Sequence, residues 1–184
     1  MLNYTNLPTW KDLLEVFNFS NLDKNEKIKQ VWGEYNKNII NYFSKSSWSI
    51  LLITLLKLKK KKINLWVPSY YCEDALFLVR KFNVDINFYD VDQEFVADKA
   101  NLKELYNINK PDIIIFCNFF GKNCFHPYLK EISKLSSSWL IEDATHCISP
   151  DNHIGKHGDF VIYSPYKFFP IPTGAILTTS LEFI

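Results

Sequence analysis

The segment Asp112 to Phe120 (DIIIFCNFF) constrains the fold most. It reads as a strand that is apolar throughout rather than alternating, and such a strand is buried on both faces. Short apolar runs recur at Ile63 to Pro68, at Asp85 to Val91 (DINFYDV), at Trp139 to Glu142, at Phe160 to Ser164 and at Ala175 to Thr179. Helical spacing separates several of them, over Glu73 to Phe82, Leu102 to Tyr106 and Pro127 to Leu135. Buried strands alternating with helices predict an α/β fold, a three-layer α/β/α arrangement around a mainly parallel sheet. Ahead of the sheet, Ser47 to Leu58 (SWSILLITLLKL) reads as a buried helix opened by serines that can cap it and ended by the run Lys59 to Lys62. Residues 1–45 form a separate N-terminal segment, helical in part, with helix-like spacing over Trp10 to Phe17 and Lys27 to Ile40.

At 184 residues and 47% hydrophobic, the chain can bury the core of one domain. A formal net charge of +1 sets up no field that would select nucleic acid. The run Ile50 to Leu58 is too short to cross a bilayer, and no basic region followed by an apolar run opens the chain. Cys72, Cys117, Cys124 and Cys147 form no C-x-x-C pair and sit in apolar segments, so they read as buried, reduced thiols of a cytoplasmic protein. His126, His153 and His157 have no metal-ligand spacing with them. Asp90 and Asp92 end a strand as a ribose-binding acid would, but no glycine-rich turn precedes them. The expectation is therefore no metal, no nucleic acid and no membrane.

In a sheet covered on both faces, ligands bind at the carboxyl ends of the strands. Those ends hold Asp143, after the run Trp139 to Glu142, and Ser164 with Lys167, after Phe160 to Tyr163. A carboxylate at such a place is costly unless paired, and a helix N-cap is its ordinary use. A lysine in the apolar setting Tyr163-Ser164-Pro165-Tyr166-Lys167-Phe168-Phe169 is unusual, because burying an ammonium costs free energy. Desolvation favours the neutral amine, the form that attacks a carbonyl, although a snorkelling lysine would also satisfy the sequence.

Order and spacing add what the single residues lack. Ile141-Glu142-Asp143-Ala144-Thr145-His146 is followed by Gly158-Asp159-Phe160-Val161-Ile162-Tyr163-Ser164, then Lys167, then Thr173-Gly174-Ala175-Ile176-Leu177-Thr178. Upstream stand Val67-Pro68-Ser69-Tyr70-Tyr71-Cys72, Asp90-Val91-Asp92 and Phe119-Phe120-Gly121. This ordered set, from about Ser46 to Thr179, resembles the large domain of the pyridoxal-phosphate-dependent transferases of the aspartate aminotransferase-like type I fold. It resembles most the DegT/DnrJ/StrS-type aminotransferases, which act on keto-sugars.

The resemblance implies the following. Residues 46–184 would be a cofactor-binding large domain, with 175–179 able to run antiparallel. Lys167 would be the Schiff-base lysine and proton shuttle. Asp143 would keep the pyridine nitrogen protonated, and His146 would bond the phenolic oxygen. Ser164 would donate to the phosphate, together with the helix start at Ser47, Trp48 and Ser49. Tyr71 or Cys72 would lie against the ring, with Asn118 a weaker candidate to approach it. The substrates would be an amino acid and a keto-sugar nucleotide, and the assembly a homodimer. Ser47-Trp48-Ser49 departs from the family's Gly-Thr or Gly-Arg turn, the gap from Ser164 to Lys167 is short, and Pro172-Thr173-Gly174-Ala175 replaces a Gly-Glu-Gly-Gly segment. Family members are about twice as long, so the C-terminal small domain is expected to be absent here. Arg80, the sole arginine, leaves no obvious carboxylate clamp. Two functions follow: an aminotransferase, or a non-catalytic remnant or cofactor-binding interaction protein of the same fold. The related sugar dehydratases carry histidine in place of the lysine, which disfavours that chemistry.

Overall fold

The computed structural model describes residues 32, 39–58, 62–151 and 153–181, and the isoleucine-rich run lies in the middle of their sheet. The strands are β1 (Ile39–Phe43), β2 (Ile63–Pro68), β3 (Val84–Tyr89), β4 (Ile113–Cys117), β5 (Trp139–Asp143), β6 (Phe160–Tyr163) and β7 (Ala175–Thr179). They pair in the order β1-β7-β6-β5-β4-β2-β3. From β6 to β3 every pairing is parallel, whereas β7 runs antiparallel to both β6 and β1. The link from β6 to β7 contains only a 3₁₀ turn at Pro165–Lys167, and a parallel neighbour would need a longer crossover.

All five residues of β4 are buried, as an apolar run without alternation requires. The pleat sorts them onto two layers. Ile113 and Ile115 join Leu65, Val67, Ile141, Ile162 and Leu177 on the face covered by helix α1 (Ser46–Leu58), through Ile50 and Ile53. Ile114 and Phe116 join Trp66, Tyr89 and Leu140 on the other face. There Leu102 comes from α3 (Lys99–Ile108), and Leu129 and Ile132 from α4 (Pro127–Ser136). Each of these fully buried aliphatic side chains contributes roughly 1.5–3 kcal/mol. The architecture is the three-layer α/β/α one that the sequence predicts.

Four local expectations change. Within the segment read as helical, Ile39–Phe43 is a strand that pairs along its whole length with β7, because tertiary pairing outweighs helical spacing. Residues 1–31 and 33–38 of that segment, and Lys59 to Lys61, lie outside the described residues. Glu73 to Phe82 is not one helix but α2 (Glu73–Leu76) followed by a 3₁₀ turn at Val79–Lys81. Leu76 and Val79, three apart and both fully buried, take the spacing a 3₁₀ turn lines up. The run ending at Phe120 leaves the sheet at Cys117 and enters a 3₁₀ turn, Phe119–Gly121, with Phe120 in the left-handed region at φ 56°. Finally, Cys72 is exposed while the other three thiols are buried.

Candidate functional site

The strand order reverses between β2 and β4, since β3 lies beyond β2 while β5 and β6 lie beyond β4. That reversal opens a crevice at the carboxyl ends. A cavity of about 800 Å³ lies there, lined by residues that follow β2, β4, β5 and β6 and by the start of α1. Of the residues singled out from the sequence, Lys167, Asp143, His146, Ser47, Trp48, Tyr71 and Cys72 line it.

Asp143 is the last residue of β5, beside Cys117 of β4 in the register. Its Oδ1 accepts the backbone N–H of Thr145 at 2.9 Å, a local turn that an aspartate at a strand end makes readily. Its Oδ2 accepts the hydroxyl of Tyr71 at 2.5 Å. The amine of Lys167 donates to Thr145 Oγ1 at 3.1 Å. Tyr71, Asp143, Thr145 and Lys167 thus form one polar chain across the cavity, built from the ends of β2, β5 and β6. Thr145 carries no sequence signal of its own, but its place two residues after a strand-end aspartate is where an Asx turn puts a donor.

The surroundings keep neighbouring groups neutral. Burial, then the Asp143 charge, raises the Tyr71 hydroxyl well above its ordinary pKa, so it remains a donor. Burial and Asp143 likewise raise the Cys117 thiol, and they push Cys147 up to about 12. His146 is lowered by burial and then by Lys167, with Asp143 opposing. Its Nδ1 accepts the backbone N–H of Phe120 at 3.3 Å, so the neutral ring carries its proton on Nε2.

The remaining candidates do not line the cavity. Asn118 is fully buried; its amide donates to Glu142 at 2.9 Å and its carbonyl accepts the Cys124 N–H at 3.1 Å, so its bonds are spent inside the protein. Ser49 and Ser164 are also fully buried, and neither hydroxyl has a partner. Each such hydroxyl costs about 1–3 kcal/mol. Ser49 lies in the first turn of α1, where helix N–H groups favour an anion, and Lys45 adds a cation at the cavity wall. The cavity therefore brings together the start of α1, a carboxylate and an amine. Asp92 makes a turn instead, its Oδ1 accepting the N–H groups of Glu94 and Val96.

No protein-family model matches the sequence, and no curated protein matches it by sequence. Solved structures match by shape. A DegT DnrJ EryC1 StrS aminotransferase from Brucella abortus is similar with a TM-score of 0.71 and 17% identity, over 92% of this chain and 49% of that one. The fold is that of the DegT/DnrJ/StrS-type aminotransferases. NtdA from Bacillus subtilis, with bound cofactor PMP, is similar at 0.70 and 18% identity, over 97% and 46% of the two chains. A GDP-4-keto-6-deoxymannose-3-dehydratase, ColD, is similar at 0.66 and 21% identity, over 98% and 52%. The chain spans about half the length of these structures. Among the described residues no helix is long and apolar enough to cross a membrane.

Proposed function

We propose that this chain holds pyridoxal 5'-phosphate through Lys167 and serves amino transfer from an amino acid to a keto-sugar nucleotide. The observation that carries the reading is the meeting of Asp143 and Lys167, from two strand ends, through Thr145 in one cavity. When bound, the cofactor supplies an electron sink for carbanion chemistry at the amino-bearing carbon. The residues present fit it. Asp143 stands as the anion for a protonated ring nitrogen. His146, with its proton on Nε2, can donate to the phenolic oxygen. Ser47, Trp48 and Ser49 at the start of α1, with Ser164, would hold the phosphate on this reading, and Ser47 and Trp48 line the cavity. Lys167 would hold the cofactor and would be the group that carries a proton to and from the substrate carbon. Lys167 also favours amino transfer over sugar dehydration, for which the sequence resemblance implies histidine in place of the lysine. The same reading assigns the protein to the cytoplasm and makes it a homodimer.

The test is the visible spectrum of the folded protein with added pyridoxal phosphate. A yellow band that borohydride abolishes, fixing the cofactor to Lys167, is expected. Lys167→Ala should form no such adduct, and Asp143→Ala should bind the cofactor more weakly. An adduct formed equally well by Lys167→Ala would overturn the assignment.

A further inference from the structure

Asp143 is held by two donors of different origin. The Thr145 N–H on Oδ1 is local, two residues along the chain. The Tyr71 hydroxyl on Oδ2 comes from beyond the end of β2, and β4 lies between β2 and β5 in the sheet. A carboxylate held at one oxygen still pivots about its Cβ–Cγ bond, whereas one held at both has its plane defined. Both donors are neutral, so neither consumes the negative charge. Among the described residues no ammonium or guanidinium pairs with Asp143; the Lys167 amine bonds Thr145 Oγ1 instead. The charge is thus left for a cationic ligand atom, in an orientation set from two sides.

We propose that Tyr71 is the positioning residue of Asp143, its hydroxyl holding the carboxylate in the orientation with which it meets the cofactor's ring nitrogen. The inference rests on the pyridoxal-phosphate reading above and adds a role to it. It also separates Tyr71 from Cys72, between which the sequence does not choose. The Tyr71 hydroxyl is committed to Asp143, while Cys72 is the exposed neighbour on the cavity wall. Burial and the Asp143 charge keep the Tyr71 proton in place throughout the physiological range, so the hold does not switch off with pH.

Tyr71→Phe removes the hydroxyl and keeps the ring. The probes are pyridoxamine 5'-phosphate, which has no aldehyde and needs no bond to Lys167, and its 1-deaza analogue, in which a C–H replaces the ring nitrogen. Binding of each is measured by equilibrium dialysis. Tyr71→Phe should weaken pyridoxamine phosphate about ten- to hundredfold, the worth of one hydrogen bond to a charged group, and change the 1-deaza analogue by less than about twofold. In an Asp143→Asn background the same change should have no further effect on pyridoxamine phosphate. Equal weakening of both probes would make Tyr71 a packing residue and overturn the inference. Unchanged or tighter binding of pyridoxamine phosphate would overturn it too, the latter by showing that Tyr71 competes for Asp143. Should neither probe bind the wild-type protein, the cofactor reading falls and this inference with it. Binding that ignores Tyr71→Phe removes the inference alone.

Discussion

Glu142 and Asp143 are consecutive acids at the end of β5, and the pleat sends them to opposite faces of the sheet. Asp143 faces the cavity. Glu142, fully buried, accepts from Asn118 Nδ2 at 2.9 Å and from the backbone N–H groups of Gly155, His157 and Gly158 at 2.6, 2.9 and 3.1 Å. It therefore ties the segment between β5 and β6 to the turn that follows β4. Gly158 lies so close that an added Cβ would meet the Glu142 backbone N at 2.7 Å, which is why the position has no side chain. Glu142→Ala leaves several buried donors without a partner and should destabilise the fold by about 3–5 kcal/mol, read as a lowered urea midpoint. A loss below about 1 kcal/mol would mean that other contacts hold the segment.

Helix α4 shows how an element is bounded. His126 precedes it and accepts the Tyr128 N–H on Nδ1 at 3.1 Å, with Pro127 in the first turn, where its missing N–H costs nothing. So His126, which has no metal-ligand spacing in the sequence, has a capping use. At the other end Ser137 takes the left-handed conformation at φ 53°, where glycine is the usual residue. A serine there carries a steric cost of roughly 1–2 kcal/mol, partly offset by the smaller entropy it loses on folding. Ser137→Gly is expected to stabilise the protein by about 0.5–1 kcal/mol, seen as a higher thermal midpoint, while leaving the carbonyl that accepts from Lys57 in place. A lowered midpoint would show that the serine side chain contributes more than its backbone strain costs.

On the scale of the whole molecule, the cavity opens beside exposed aromatic surface. Tyr70 is 57%, Phe77 59% and Phe120 66% exposed, and all three line the cavity. Tyr70, Phe95, Phe119 and Phe120 form a continuous set of ring contacts at 5.2–5.5 Å. Apolar surface of this kind, rich in large aromatics, suits a covered interface better than water. Sedimentation equilibrium should show a discrete dimer whose population rises with concentration, and Phe120→Asp should shift it toward monomer. A monomer at every concentration would count against the homodimer, and unbounded aggregation would point to nonspecific apolar contact.

Element type and order were legible because they are encoded by contiguous residues. An unbroken apolar run such as Ile113–Cys117 has nowhere to sit but the centre of a covered sheet, and 3.6-residue spacing marks Pro127–Ser136 without reference to anything else. The strand-end positions of Asp143 and Lys167 follow from the same local reading. What only the tertiary structure decided is which of those ends meet. Tyr71 bonds Asp143 across 72 positions of sequence and Lys167 bonds Thr145 across 22, and both depend on β4 lying between β2 and β5 and on β6 beside β5. The same holds for β1, whose first residues Ile39 and Ile40 ended a helix-like spacing until β7 offered an edge, and for Asn118, whose strand-end position suggested the cavity while Glu142 claimed its amide. Periodicity reports the environment averaged along one element; hydrogen bonds between elements are set by sheet order and register, which no single segment contains.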